Sequence, residues 1–152
     1  MLHKGLVLLH LVGFAAYLGA GFAQQRFMAM SAVDGTPPTV RDAYERLASA
    51  VLVRIELPAL FAQVATGVAF VALLPAWLSQ GWLHGKLACV ALLLVLSHLE
   101  MFNARRIVRA RADRGDSAAA EIAKRKKRHA TLGTFGTAAV VAVLVCVALG
   151  TA

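Results

Sequence analysis

Residues 5–24 read GLVLLHLVGFAAYLGAGFAQ, 20 positions without a charge and with one histidine, His10. About 20 apolar residues are what an α-helix needs to cross the hydrocarbon core of a bilayer. Three further stretches share this character. Leu57–Leu83 is uncharged and is broken near its end by Pro75 and Ser79-Gln80-Gly81. Trp82–Phe102 is apolar but holds His84, Lys86, His98 and Glu100, and Ala130–Ala152 carries no charge. The whole chain agrees, with 152 residues, 59% hydrophobic and 16% charged, and a mean hydropathy of +0.68. A soluble domain carries about 25% charged and 45–50% apolar residues. Disorder, a coiled coil and a disulfide-stapled secreted module are thereby excluded. The expectation is an all-α integral membrane four-helix bundle forming one domain over residues 1–152. Its spans fall at about 5–28, 57–76, 82–102 and 130–150, with loops at about 29–56 and 103–129.

Charge sets the orientation. Arg26, Arg41, Arg46 and Arg54 flank the first connection and ten more Lys and Arg lie between Arg105 and Arg128, so 14 of 16 fall on one side. By the positive-inside rule that side is cytoplasmic. Both termini and the turn at 76–81 then face outward, as in a multi-pass protein of a bacterial inner membrane. Lys124–Arg128 resembles a nucleic-acid patch in isolation, but beside a span it is a topology signal or an anionic-lipid contact. Nucleic acid is therefore not an expected partner. No cleavable signal peptide is expected either, because the first apolar stretch exceeds an h-region of about 7–15 residues. In the first connection Asp34-Gly35 and Pro37-Pro38 mark turns. Thr39-Val-Arg-Asp42 has capping-box spacing and predicts a short cytosolic helix leading into the second span. Cys89 and Cys146 fall inside spans and read as small packing residues.

Ionisable groups within a span are costly and usually face the bundle interior. His10 and His84 both belong near the outer surface. His98 follows His84 by 14 residues, which at 100° and 1.5 Å per residue places it on nearly the same face, roughly 21 Å deeper. His129 comes nearest to the level of His98, although it also extends the basic run before it. His3 lies outside the first span. Imidazoles on facing helices at matched depth are how a bundle grips haem iron. Zinc would want three or four clustered ligands, and copper would want Met or Cys beside the histidines. Haem b is the best ligand hypothesis, one group or two, with His10 and His84 on the iron. His98 and His129 are further candidates for cofactor binding. Each histidine alone is also compatible with a hydrogen-bonded packing role. Lys86 suits a propionate or a snorkelling contact, and Glu100 suits a pair with an Arg of 105–109. Gly13, Gly19, Gly21, Gly67, Gly133 and Gly136 read as close helix packing or as room for a flat cofactor.

The arrangement resembles the HemJ-type protoporphyrinogen IX oxidases, four-span haem proteins grouped with the copper-resistance-D-like membrane proteins. In that family a first-span His is followed 16 residues later by an Arg, as His10 is by Arg26. Pro58-Ala59 with Gly67 matches the second span, and Gly81-Trp82-Leu83-His84-Gly85-Lys86 matches the opening of the third, with His98 following. The likeness covers roughly residues 5–103. Where the family's fourth span opens with Asn-Glu-x-Pro-Thr, this chain reads Arg128-His-Ala-Thr-Leu-Gly-Thr134, which marks a divergent relative. The resemblance implies a haem-b oxidoreductase in which His10, Lys86 and Arg26 serve activity and His10, His84 and Lys86 hold the haem. The implied partners are a porphyrin-type substrate and a quinone or other redox partner within membrane lipid; a homodimer is compatible with the sequence. The alternative is a transmembrane b-type cytochrome carrying electrons between two bis-His haems, which needs His98 and His129. A metal-handling protein of the copper-resistance branch is the third reading.

Overall fold

The computed structural model describes residues 2–150, and among these every regular element is helical. The uncharged first stretch, continued by good helix formers beyond Gln24, forms α1 (Leu2–Met30). After a turn with Gly35 at φ +80°, α2 (Pro38–Val51) runs back along the end of α1. A π-helical turn, Leu52–Glu56, joins it without a break to α3 (Leu57–Leu73). Pro58 explains the wide turn: it has no N–H for an i→i−4 bond and its ring crowds the preceding turn. A 3-10 turn, Pro75–Ser79, leads to α4 (Gly81–Arg114), and a second, Gly115–Ala118, leads to α5 (Ala119–Gly150). α1 packs on α2, α3 and α5, and α4 packs along α5.

Three helical stretches are long and apolar enough to cross a membrane, Lys4–Met30, Pro38–Leu73 and Gly81–Gly150, the last comprising α4 and α5. The helices exceed what a bilayer requires. At 1.5 Å per residue the 34 residues of α4 span about 51 Å against a hydrocarbon core of about 30 Å. The surplus is at the charged end. The connections at 29–56 and 103–129 are mostly helical, because Ala, Arg, Lys and Glu continue a helix wherever no Gly or Pro interrupts it.

Two cores follow. One, among apolar stretches, gathers Tyr17, Leu60, Leu93, Ala139, Val140 and Val143; the other, at the charged end, gathers Met28, Ala48, Ala104, Ile107, Ala118 and Ile122. Against the second core lies Glu45 on α2, fully buried. It accepts hydrogen bonds from Arg111 Nη2 at 2.9 Å and Nε at 3.1 Å, and pairs with Lys126 Nζ at 2.7 Å. The carboxylate of Glu45 holds the Arg111 guanidinium above its usual pKa range. Lys126 is held below its own range, chiefly by burial, with Glu45 opposing that effect.

Two sequence expectations need correction. The Thr39–Asp42 capping box does not form: α2 begins at Pro38, whose nitrogen needs no cap, and no side chain caps the helix. Asp42 instead accepts from Arg46 Nε at 2.8 Å. Glu100 forms no ion pair with Arg105, Arg106 or Arg109, which are exposed. It faces the interior, where Gln25 Nε2 donates to it at 2.5 Å. The two cysteines are free and half-buried.

Candidate functional site

His10 sits two turns into α1, facing α3. Gly13, one turn on, lets the helices approach closely enough that a Cβ there would come within 2.8 Å of Gln63 Nε2. Gln63 uses that amide to donate to the His10 carbonyl. The imidazole Nδ1 lies 2.6 Å from Thr66 Oγ1. Thr66 has one hydroxyl hydrogen, and the carbonyls of Ala62 at 2.8 Å and Gln63 at 3.1 Å are within its reach. It therefore donates to the backbone and accepts from His10 Nδ1–H. That assignment leaves the Nε2 lone pair available, the tautomer of a histidine ready to ligate a metal. Phe70 presents its edge to the ring, 5.7 Å between centroids.

The same end of the molecule contains a cavity of about 530 Å³ lined by His10, Phe70, Trp77, Trp82 and Lys86, among others. Trp77 contacts both Phe70 and Trp82, at 6.3 and 5.8 Å between centroids, forming an aromatic wall. Lys86 is half-buried, and no carboxylate pairs with it among the described residues.

The remaining candidates are placed elsewhere. His84 precedes Lys86 by two residues, about 200° around the helix; with Lys86 on the cavity, His84 is exposed and donates from Nδ1 to the Gln80 carbonyl at 3.2 Å. His98 donates from Nδ1 to the Leu94 carbonyl at 2.7 Å and meets Phe61 edge-on, 5.9 Å between centroids. His129 is fully buried and donates from Nε2 to Gln24 Oε1 at 2.6 Å. Arg26 is exposed, 16 residues along α1 from His10, or roughly 24 Å away. His10 and Lys86 are thus brought to one cavity, while His84, His98, His129 and Arg26 lie outside it.

Sequence reading missed a second polar group in the bundle interior. Glu56 and Glu100 are 2% and 5% exposed and are close enough to interact electrostatically. The Tyr17 hydroxyl lies 3.5 Å from Ser97 Oγ, and Gln25 Nε2 donates to Glu100. A signal for this group existed. Gly13, Tyr17, Ala20, Gln24 and Met28 are buried on α1, and Ser31 just beyond its end is buried too; they recur at spacings of three or four. Where the outer face of a helix meets lipid, small and polar residues, rather than apolar ones, mark the face turned inward.

A family model described as predicted integral membrane protein (DUF2269) matches residues 4–152, and the chain belongs to that family. Comparison with curated proteins and with solved structures yields no match.

Proposed function

We propose that this DUF2269 integral membrane protein is a haem-b-binding oxidoreductase of the bacterial inner membrane, with four spans, both termini outward and His10 as the residue that would hold the haem iron. One observation carries the reading: His10 Nδ1 lies 2.6 Å from the Thr66 hydroxyl beside an aromatic-walled cavity, and with Thr66 donating to the backbone this contact leaves Nε2 free. Histidines that ligate metals almost always donate their other N–H in this way, which fixes the ring and raises its basicity. The fit extends to the remaining walls. Phe70, Trp77 and Trp82 offer flat apolar surface to a macrocycle, and Lys86 offers a charge-assisted hydrogen bond to a propionate. When bound, haem supplies one-electron chemistry; the side chains hold it, set its orientation and keep water from its faces. A porphyrin-type substrate such as protoporphyrinogen IX and a quinone acceptor are the partners suggested by the resemblance to HemJ-type oxidases. The geometry favours one haem over two, because among the four histidines whose side chains are described only His10 combines a free nitrogen with a cavity wall.

The test is haem per chain on detergent-purified protein, by pyridine haemochrome assay and a reduced-minus-oxidised spectrum. One haem b, lost in His10→Ala and kept in His84→Ala and His129→Ala, supports the reading. Two haems, one lost in His98→Ala or His129→Ala, turn it into the transmembrane cytochrome. No haem from cells supplied with it overturns both.

A further inference from the structure

The Glu56–Glu100 pair is independent of the haem reading. Glu56 is carried inward by the π-helical turn, a feature often found at functional sites. Its Oε2 is buried and has no hydrogen-bond partner, although the side chain is 2% exposed. A carboxylate oxygen in that position is expensive to leave unmatched. No Lys or Arg forms an ion pair with Glu56 or Glu100 among the described residues. Two buried carboxyl groups with no cation of the chain beside them either keep their protons or are matched by positive charge from outside the chain.

Both line a cavity of about 540 Å³ between α1 and α5, within the usual size range of small-molecule sites, about 300–1,000 Å³. Its lining includes Phe22, Val141 and Leu144, apolar side chains exposed on the outside of the helices. Gly136 also lines it, and a Cβ there would meet nothing within 4 Å. A bare metal ion does not suit such a space, and no group of three His, Cys, Asp or Glu side chains is gathered among the described residues. Apolar walls and an unmatched carboxylate oxygen among them describe the complement of an amine with an apolar body.

We infer that the cavity between α1 and α5 binds a lipophilic organic amine, entering from the bilayer, whose ammonium group is held by Glu56 and Glu100. The ammonium donates to Glu56 Oε2 while the hydrocarbon part lies against Phe22, Val140 and Leu144.

Dansylcadaverine, a fluorescent primary amine, tests this on the full chain in lipid nanodiscs, with dansylamide as the comparator lacking the amine. The expected result is saturable, blue-shifted emission at one probe per chain for dansylcadaverine and none for dansylamide. Glu56→Gln and Glu100→Gln, which keep the shape and remove the charge, each weaken binding tenfold or more. Gly136→Leu, which fills the wall without touching either carboxylate, abolishes it, and the melting curves of all three variants establish that they fold. Equal partitioning of the two probes, or dansylcadaverine binding to Glu56→Gln as tightly as to the wild-type chain, overturns the inference. Loss of haem in His10→Ala has no bearing on this outcome.

Discussion

Replacing Glu45 with Ala is expected to destabilise the charged end of the molecule by a predictable amount with a predictable pH dependence. The substitution removes a fully buried carboxylate and leaves Arg111 and Lys126, 11% and 9% exposed at the side chain, facing one another. Breaking a buried pair by deleting one partner costs about 3–5 kcal/mol. Lys126 has a way to reduce that cost, because burial already holds its pKa down and Glu45 was the group opposing the shift. In the variant the folded chain binds fewer protons than the unfolded one, so stability rises with pH. Near neutral pH we expect a loss of about 3 kcal/mol, or roughly 6–12 °C in melting temperature at about 2–4 °C per kcal/mol. The deficit then narrows as the buffer approaches pH 9.5. Arg111→Met should cost less, since Glu45 keeps its Lys126 partner at 2.7 Å. Circular dichroism melts in detergent at several pH values provide the measurement. A Glu45→Ala melt within 2 °C of wild type near neutrality, or a deficit that widens as pH rises, would refute the reasoning.

Thr66→Val removes the acceptor for His10 Nδ1–H and should weaken haem binding roughly 10–100-fold; a haem titration that matches wild type removes Thr66 from the site. Leu52, fully buried in the π-helical turn, should cost about 2–5 kcal/mol on replacement by Ala, and a smaller loss in denaturation would mean the surroundings collapse onto the gap. Gly115 has φ +53° and ψ −130° at the tip between α4 and α5, backbone that L side chains rarely adopt. Gly115→Ala should therefore lose about 1–3 kcal/mol, checked by the same melts. Glu121 is held below its usual pKa by Arg114 and Arg125. Any stability it adds is present above the ordinary Glu range and disappears as pH falls through the lowered value. Exposure and salt screen both pairs, so Glu121→Gln should leave the melt at pH 7 unmoved; a clear drop there would show the pairs to be worth more than their exposure implies.

How much of this was legible in the sequence differs from element to element. The charge-free run at 5–24 predicts α1, and the helix that follows Pro37-Pro38 is present, although its start is set by Pro38 and not by Thr39. The charge of the connection at 103–129 sets it apart from the apolar stretches and leaves open whether it is helical. Charged residues with long side chains are good helix formers, and the chain turns only where Gly115 permits it. His10 and Lys86 were singled out for their depth, and they do meet at one cavity. His84 was grouped with them by the same depth, but depth ignores azimuth: two residues along a helix are nearly opposite one another.

Composition and the placement of charge by themselves determined that the chain is a helical membrane protein, because hydrocarbon thickness sets a length and backbone groups in lipid must bond within the helix. Which side of each helix turns inward was decided only by the tertiary structure. In a soluble protein apolar periodicity reveals that face, but in lipid both faces are apolar. The burial of Gln24, Glu56, Glu100 and His129 follows from how α1, α3, α4 and α5 rotate against one another, and packing alone sets that rotation.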